Sequence, residues 1–183
     1  DGELFTMNAP LKCGKGSLYE GGVREPMIVS WPGVTKAGSR CNDYLIIEDF
    51  YPTILEIAGV KDYKTKNVVD GQSFAPMLRG EACNNSDRAL IWNYPNVWGN
   101  SGPGINTNCA IRKGDWKLVY DYPSGRKELY NIPADISESN DLAAREPEVV
   151  KQLSAELGRL LRERGAMRPV MKSTGQPCRW PDE

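Results

Sequence analysis

The chain has 183 residues, of which 23 are Lys or Arg and 24 are Asp or Glu, so its net charge at pH 7 is −1. This length suffices for a hydrophobic core in one domain or two small ones, and charges this evenly balanced provide no field that attracts nucleic acid or an acidic membrane. No apolar run is long enough to span a bilayer, and the first residues lack a signal-peptide pattern. We therefore predict a globular chain with no nucleic-acid partner and no membrane span, and its start at Asp1 rather than Met suggests a piece of something longer.

Histidine and cysteine usage excludes several kinds of chemistry. The chain has no histidine, which excludes Ser-His-Asp and Cys-His catalysis and His-based zinc sites within it. Its five cysteines form no C-x-x-C pair, which argues against a zinc ribbon or a thioredoxin-like site, and their odd number leaves at least one unpaired. Such isolated cysteines are most often small buried hydrophobes, while one or two disulfides fit an oxidising compartment.

The stretch from Cys13 to Pro26 places Lys15 between two glycines, ahead of a Glu-Gly-Gly-x-Arg sequence. Glycines beside a cation let the backbone approach a ligand that a Cβ would hold off, and Gly21-Gly22 permits a sharp bend before an extended segment. Neither the P-loop pattern nor the dinucleotide-binding pattern fits this stretch. The spacing predicts half of an anion site, the alternative being an exposed lysine in a glycine-rich turn.

One strand and one helix are predicted in the first half of the chain. Met27 to Trp31 is a short apolar run closed by Pro-Gly, which is typical of a buried strand. From Asp49 an apolar stripe recurs at helical spacing, with Pro52 in the first turn and Gly59 at the C-terminal cap. A strand followed by a packed helix indicates the end of an α/β layer.

The second half of the chain contains four predicted strands and one long predicted helix. The strand candidates are Ala89 to Tyr94, Cys109 to Lys113, Trp116 to Tyr120 and Lys127 to Asn131. Tight turns at Gly114 and Gly125 indicate antiparallel pairing. In the third candidate, Trp116, Leu118 and Tyr120 alternate with Lys117 and Val119. This alternation predicts that one face of the sheet is apolar and covered. The cover is a helix in which leucines recur from Pro147 onwards.

The predicted organisation is therefore α+β, with a domain boundary in the polar loop near residue 80. Residues 1–80 form the end of an α/β domain. Residues 81–183 form a small domain made of a four-stranded antiparallel sheet covered by a C-terminal helix. Its tail, from residue 166, contains three prolines and little periodicity, and is expected to be irregular.

Seven motifs occur in an order that resembles the sulfatase family of the alkaline-phosphatase superfamily. They are Lys15-Gly-x-x-x-Glu-Gly-Gly-x-Arg-x-Pro26, Trp31-Pro-Gly33, the helix Asp49 to Gly59, Asp70-Gly-x-Ser73, Ala110 to Leu118, Glu128-Leu-Tyr-Asn131 and Asn140-Asp-Leu-Ala143. The resemblance runs from about Asn8 to Arg164, and the stretch around Lys15 is particularly like arylsulfatase A and its bacterial relatives. It implies that the chain is the C-terminal portion of a sulfatase, with residues 1–80 completing the catalytic domain.

The function implied by the resemblance is hydrolysis of sulfate esters in sulfated glycans or aryl sulfates. In the family a formylglycine, made within Cys/Ser-x-Pro-x-Arg, attacks sulfur beside a bound calcium. That motif is absent from this sequence, so the formylglycine and the calcium ligands are expected upstream of Asp1, with no metal ligand in this chain. The missing N-terminal part is then an obligate partner, and the fragment alone should be inactive. Family habit favours an extracytoplasmic location, which is periplasmic, secreted or lysosomal.

The acidic loop of Asp135, Glu138 and Asp141 is a second place where calcium could be sought. Its spacing lacks the EF-hand pattern, in which oxygen ligands recur at fixed positions of a 12-residue loop. Such residues are more often a solvated turn before a helix. We therefore predict a solvated turn here.

The resemblance assigns the contact with a sulfate oxygen to Lys15. A preorganised cation there acts where negative charge grows during S–O cleavage. Glu20 and Arg24, four residues apart around the glycine pair, are expected to support the site from behind. Their simpler interpretation is an ion pair that fixes the bend.

Asn93 and Asn96 occupy the place where related bacterial sulfatases often carry a His-x-Pro-His loop. Amides hydrogen-bond sugar hydroxyls or sulfate without charge, and Trp98 offers a stacking face, so these three residues are candidates for a carbohydrate subsite. The alternative is a strand end that runs into a glycine-rich loop.

Two other functions fit parts of the pattern. A phosphodiesterase or phosphonate hydrolase of the same superfamily also sets a metal-bound nucleophile beside cationic donors, so Lys15 alone does not separate it from a sulfatase. A non-catalytic module, in which the sheet and the asparagine-containing loop hold a glycan, needs no nucleophile. A longer polypeptide without Cys/Ser-x-Pro-x-Arg and without sulfate release would favour that module.

Overall fold

The computed structural model describes residues 8–82, 87–96 and 102–183. Its elements in chain order are α1 (Glu20–Val23), a 3-10 helix (Ile47–Asp49), α2 (Phe50–Ile57), α3 (Ala75–Leu78), β1 (Ala89–Tyr94), β2 (Asn108–Lys113), β3 (Trp116–Asp121), β4 (Lys127–Asn131) and α4 (Pro147–Glu163). The four strands form one antiparallel sheet in the order β1-β2-β3-β4. The α+β class, the four-stranded sheet and the C-terminal helix are thereby confirmed.

The chain divides into two compact units by contact. The first contains the residues up to 25 together with 88–183, and the second contains residues 26–87. The glycine-rich segment thus joins the sheet in one unit, because residues 18 and 19 pack on the strands. The assignment of residues 1–80 to a larger catalytic domain stays a prediction.

One face of the sheet packs against α4, as the leucine spacing predicts. Leu118 lies at the centre of this face, paired with Ile111 on β2 and Leu129 on β4, and all three are fully buried. Leu157 and Leu161 of α4 belong to the same core. Leucines from successive turns of the helix therefore cover the middle of the sheet, and burial of apolar side chains is the main source of stability in a unit of this size.

The opposite face of the sheet is covered as well, and the prediction of a single covered side is wrong on this point. Leu18 and Tyr19 pack there against Ala110, Val119 and Tyr130. The segment that covers this face comes from far earlier in the chain, so alternation within the strands gave no sign of it.

The irregular tail from residue 166 lies on the α4 side of the sheet. A single bridge joins Val170 to Pro177, and the side chains of Cys178 and Trp180 enter the core. The hydroxyl of Tyr120 donates to the carbonyl of Arg179 at 3.2 Å. Four cysteines, at positions 13, 41, 109 and 178, lie in the described part of the chain and are free thiols.

The second unit differs from prediction at its start and agrees at its helix. Met27 to Trp31 forms no strand, and Ile28 is 98% exposed. A strand needs a neighbour for its backbone hydrogen bonds, and within the described ranges no segment pairs with this one. The predicted helix is present as α2, with Gly59 in the left-handed region at φ 75° after its end. Its apolar side chains Tyr51 and Ile54 are exposed.

The Asp-Gly-x-Ser motif is held by a buried carboxylate at the start of α2. Asp49 is fully buried and accepts the backbone N–H groups of Ile46 at 3.0 Å and Gln72 at 2.8 Å. A Cβ on Gly71 would overlap the carbonyl oxygen of Glu48, so only glycine fits there. This motif therefore has a structural role in the second unit.

None of the helices in the described ranges combines the length and the apolar composition that a bilayer span requires.

Candidate functional site

The glycine-rich loop, residues 12–17, is closed against the short helix α1. The N–H of Gly21 donates to the carbonyl of Lys12 at 3.0 Å, and a Cβ on Gly21 would overlap the same oxygen. A Cβ on Gly22 would overlap the carbonyl oxygen of Ser17 and lie 2.6 Å from that of Gly14. The prediction of a sharp bend at these two glycines is wrong, because both lie in the helical turn α1. Their missing Cβ atoms make room for the loop backbone.

Lys15 lies at the exposed tip of this loop. It follows the buried Gly14 and precedes Gly16, whose φ of 93° few residues other than glycine adopt. The hydroxyl of Ser17 donates to the carbonyl of Gly14 at 2.9 Å and closes the turn from inside. Among the described residues, the Lys15 ammonium has no hydrogen-bond or ion-pair partner. The loop therefore presents a free cation on a backbone that is fixed from below.

A buried charge cluster, made of Glu20, Lys117 and Glu138, lies under α1. The side chain of Lys117 is 0% exposed, and its Nζ is 3.0 Å from Oε1 of Glu20 and 3.0 Å from Oε1 of Glu138. Oε2 of Glu20 also forms ion pairs with the guanidinium groups of Arg24 at 3.2 Å and Arg112 at 3.7 Å. The predicted Glu20–Arg24 ion pair is thus present, as part of a larger network.

The two carboxyl groups of the cluster have opposite pKa shifts. Burial raises the pKa of Glu20, but the charges of Lys117 and Arg112 and the hydrogen bonds from Lys117 and Arg24 outweigh it, so the pKa lies below its ordinary value. Burial also raises the pKa of Glu138, and here the single lysine does not compensate, because the charge of Glu20 adds to the shift. The prediction of a solvated acidic turn is wrong for Glu138, which is 1% exposed.

A second charged group fixes the start of the glycine-rich loop. Nζ of Lys12 donates to the hydroxyl of Tyr130 at 2.8 Å and lies 4.1 Å from the ring centroid of Tyr19. Both tyrosine hydroxyls donate to Oε2 of Glu128, at 2.6 Å and 2.7 Å. The loop is therefore tied to β4 through this carboxylate, which also pairs with Arg126 at 2.9 Å.

Replacing Glu128 by glutamine is expected to lower stability at neutral pH and to matter less in acid. Burial raises the pKa of Glu128, but the hydroxyls of Tyr19 and Tyr130 and the charge of Lys12 outweigh it, so the folded pKa is lowered. Its contribution is present above the ordinary Glu range and is lost as the pH falls through the folded pKa. Unfolding midpoints of wild type and Glu128→Gln should therefore converge on acidification.

The control for this experiment is Glu25→Gln, at an exposed position without a hydrogen bond or ion pair in the described part of the chain. Its midpoint should follow that of wild type at every pH. A gap between wild type and Glu128→Gln that stays constant from pH 7 to pH 3 would contradict the assignment.

Asn93 and Asn96 are placed differently by the structure. The carboxamide of Asn93 accepts from the hydroxyl of Tyr122 at 2.9 Å and donates to the carbonyl of Met167 at 3.0 Å, so it ties β1 to the neighbouring turn and tail. Asn96 is exposed beyond the strand end. Trp98 lies outside the described residues. A carbohydrate subsite here stays a prediction, and Asn93 has part of its hydrogen-bonding capacity already in use.

Sequence reasoning missed Lys117, Glu138 and Glu128 as residues that fix α1 and the start of the glycine-rich loop. The available signal was the apolar side chains on the Lys117 face, Val119 and Tyr130, which indicate that this face is covered too. A lysine on a covered face needs an anionic partner. In the described residues no group of three or more Cys, Asp or Glu side chains could hold a metal ion, so calcium has no fitting donor set there.

Comparison with known proteins identifies the family of the chain. Residues 13–164 match the family model of the N-sulphoglucosamine sulphohydrolase C-terminal region. A sulfatase of Formosa agariphila is 37% identical over 147 residues, which cover 78% of this chain and 27% of that protein. Arylsulfatase A of Homo sapiens is 33% identical over 150 residues, covering 81% of this chain and 27% of that protein. The chain thus spans about a quarter of the length of these curated relatives.

Among solved structures, that of Ps i-CgsB superposes with a TM-score of 0.69 at 28% identity, over 84% of this chain and 32% of that one. The same protein has been solved in complex with k-i-k-neocarrahexaose. The four-stranded sheet with its C-terminal helix thus lies in the part of the chain that resembles known sulfatases. The chain belongs to the sulfatase family and matches its C-terminal portion.

Proposed function

We propose that this chain is the C-terminal part of a sulfatase that hydrolyses sulfate esters of glycans or aryl alcohols, and that Lys15 contacts the sulfate group. The observation that carries the proposal is the exposed Lys15 ammonium, unpartnered among the described residues, on a loop whose backbone is fixed by α1. Because the backbone beneath Lys15 is already fixed, only the lysine side chain has to be ordered when an anion binds.

The contribution of Lys15 is electrostatic. A unit charge about 4 Å from an anion is worth roughly 4 kcal/mol at an effective dielectric constant near 20. When the ester S–O bond breaks, negative charge grows on the sulfate and leaving-group oxygens, so the attraction strengthens towards the transition state. Lys15 thereby lowers the barrier as well as holding the substrate.

The remaining chemistry is proposed to come from other parts of the polypeptide. The described residues hold no cluster that fits calcium, and the sequence has no Cys/Ser-x-Pro-x-Arg motif. A formylglycine beside calcium supplies the nucleophile in this family, as the resemblance implies. The chain by itself is therefore proposed to lack turnover, and an extracytoplasmic location is proposed for the intact enzyme.

The sulfated substrate is proposed to be a carbohydrate or an aryl sulfate. The carbohydrate complex of Ps i-CgsB supports a glycan, while the identity with arylsulfatase A supports an aryl ester. The exposed Asn96 is the candidate sugar contact in the described part of β1 and its following turn.

The proposal is tested with the longer polypeptide that contains this chain, assayed on nitrophenyl sulfate and on the matching phosphate diester and phosphonate monoester. We expect preferential release of nitrophenol from the sulfate ester. The 183-residue chain alone should give none, with or without added calcium. Sulfate release by the chain alone, or a preference of the longer protein for the phosphorus esters, would overturn the assignment.

A further inference from the structure

The buried charge cluster under α1 is not used by the proposed chemistry, which assigns no substrate contact to its three buried residues. Lys117 is fully buried between two carboxylates. Burying charges is costly even when they are paired, and replacing buried ion pairs by apolar groups is often neutral or stabilising. Stability alone is therefore a poor reason for such a cluster in the middle of a sheet face.

The cluster binds Glu20, the first residue of α1, through both its side chain and its backbone. Oε1 of Glu20 pairs with Lys117 on β3, and the backbone N–H of Glu20 donates to Oε2 of Glu138 at 2.6 Å. Glu138 has a left-handed backbone, with φ 49°, which residues other than glycine seldom adopt. The chain after β4 is thus held in an unusual conformation while its carboxylate binds α1.

The position of Glu20 is coupled to that of the glycine-rich loop. The next two residues, Gly21 and Gly22, contact the loop backbone at both of its ends, through the carbonyls of Lys12 and Ser17. Interactions of this kind do not yield gradually, because interiors are close-packed. A shift of Glu20 therefore displaces the loop that carries Lys15.

We propose that Lys117 and Glu138 are positioning residues for Lys15, acting through Glu20 and the two glycines of α1. This inference depends on the proposed function of Lys15. Lys117 holds the side chain of Glu20, and Glu138 holds its backbone. Together they fix the position and orientation of the glycine-rich loop. The Lys15 ammonium is thereby held where negative charge develops on the sulfate.

The test is a double-mutant cycle in the intact sulfatase, measured as kcat and KM on nitrophenyl sulfate. Lys117→Met should lower kcat by about 10- to 10²-fold in the wild-type background, because misplacement by an ångström costs that much. In the Lys15→Ala background the same change should alter kcat less than about threefold, since interacting sites are not additive. KM should move little in either background.

If the cluster had a purely structural role, Lys117→Met would lower kcat by the same factor in both backgrounds. Thermal unfolding midpoints report the structural cost, and Lys117→Met should shift them equally in both backgrounds. Lys113→Met is the matched control, because Lys113 is also ion-paired on this sheet, to Glu156 at 2.9 Å, and does not contact Glu20. Its kcat should equal that of wild type.

Glu138→Gln provides the second variant in case Lys117→Met does not fold. The amide keeps an oxygen for the N–H of Glu20 and removes one charge from the pair, so kcat should fall when Lys15 is present and stay unchanged in the Lys15→Ala background. If Lys15→Ala keeps full activity, the proposed function itself fails. If Lys15→Ala loses activity while the cluster variants lower kcat equally in both backgrounds, only the positioning role fails.

Discussion

Replacing Lys15 by alanine in the intact sulfatase is expected to lower kcat on nitrophenyl sulfate by about 10²- to 10³-fold, by analogy with the loss of one oxyanion donor. The loop keeps its shape in this variant, because its closure involves backbone groups of Lys12, Gly14 and Ser17 and no atom of the Lys15 side chain. The loss should fall on kcat more than on KM, since the contact strengthens as charge develops.

Two further variants separate the position of the charge from its presence. Lys15→Arg retains a cation of different shape, and it should recover part of the lost rate. Lys172→Ala removes another exposed lysine from the same unit and should leave kcat and KM unchanged. A Lys15→Ala enzyme with the kcat/KM of wild type would remove the residue from the mechanism.

Replacing Leu157 by alanine is expected to lower the free energy of unfolding of the sheet-containing unit by about 2 to 5 kcal/mol. Leu157 is 0% exposed and lies on α4 over the centre of the sheet, in one core with Leu118 and Leu129. Truncation removes buried methyl groups and leaves a cavity that strands fixed by a continuous ladder of hydrogen bonds fill poorly. Chemical denaturation followed by tryptophan fluorescence measures the loss.

The matched control is Gln152→Ala, on the exposed side of the same helix. It preserves helix length and replaces the residue by the best helix former, so its effect should stay within about 0.5 kcal/mol of zero. If Leu157→Ala costs no more than Gln152→Ala, burial does not govern this position, and α4 does not cover the sheet as described.

Local pattern predicted the strands and helices of the second half of the chain well. Ala89–Tyr94 and Lys127–Asn131 are the strands that alternation and turn residues predict, and α4 begins at the expected Pro147. These elements succeed because each carries its own signal: a two-residue period in the strands, a helical leucine spacing, and glycines at the turns. The sheet is also built from sequence neighbours, so its topology follows from short connections.

The segment from Met27 to Trp31 shows where local pattern is insufficient. Its composition favours a strand, yet it is extended and exposed, because a strand exists only where another backbone accepts its hydrogen bonds. Likewise the apolar stripe of α2 predicts a buried face, and Tyr51 and Ile54 stay exposed. A pattern states what a segment can bury, and the partner that buries it must come from elsewhere.

The sequence alone determined the family and the order of the four strands and the long helix, and it selected Lys15 as the candidate sulfate contact, because motifs, periodicity and a lysine between glycines are all encoded within short windows. Only the tertiary structure decided the surroundings of that lysine: the second covered face of the sheet, the burial of Lys117, and the grip of Glu138 on α1. The contacts of Glu20 with Lys117 and with Glu138 span 97 and 118 residues of sequence, respectively. Interactions at such separations arise from packing, which no local window contains.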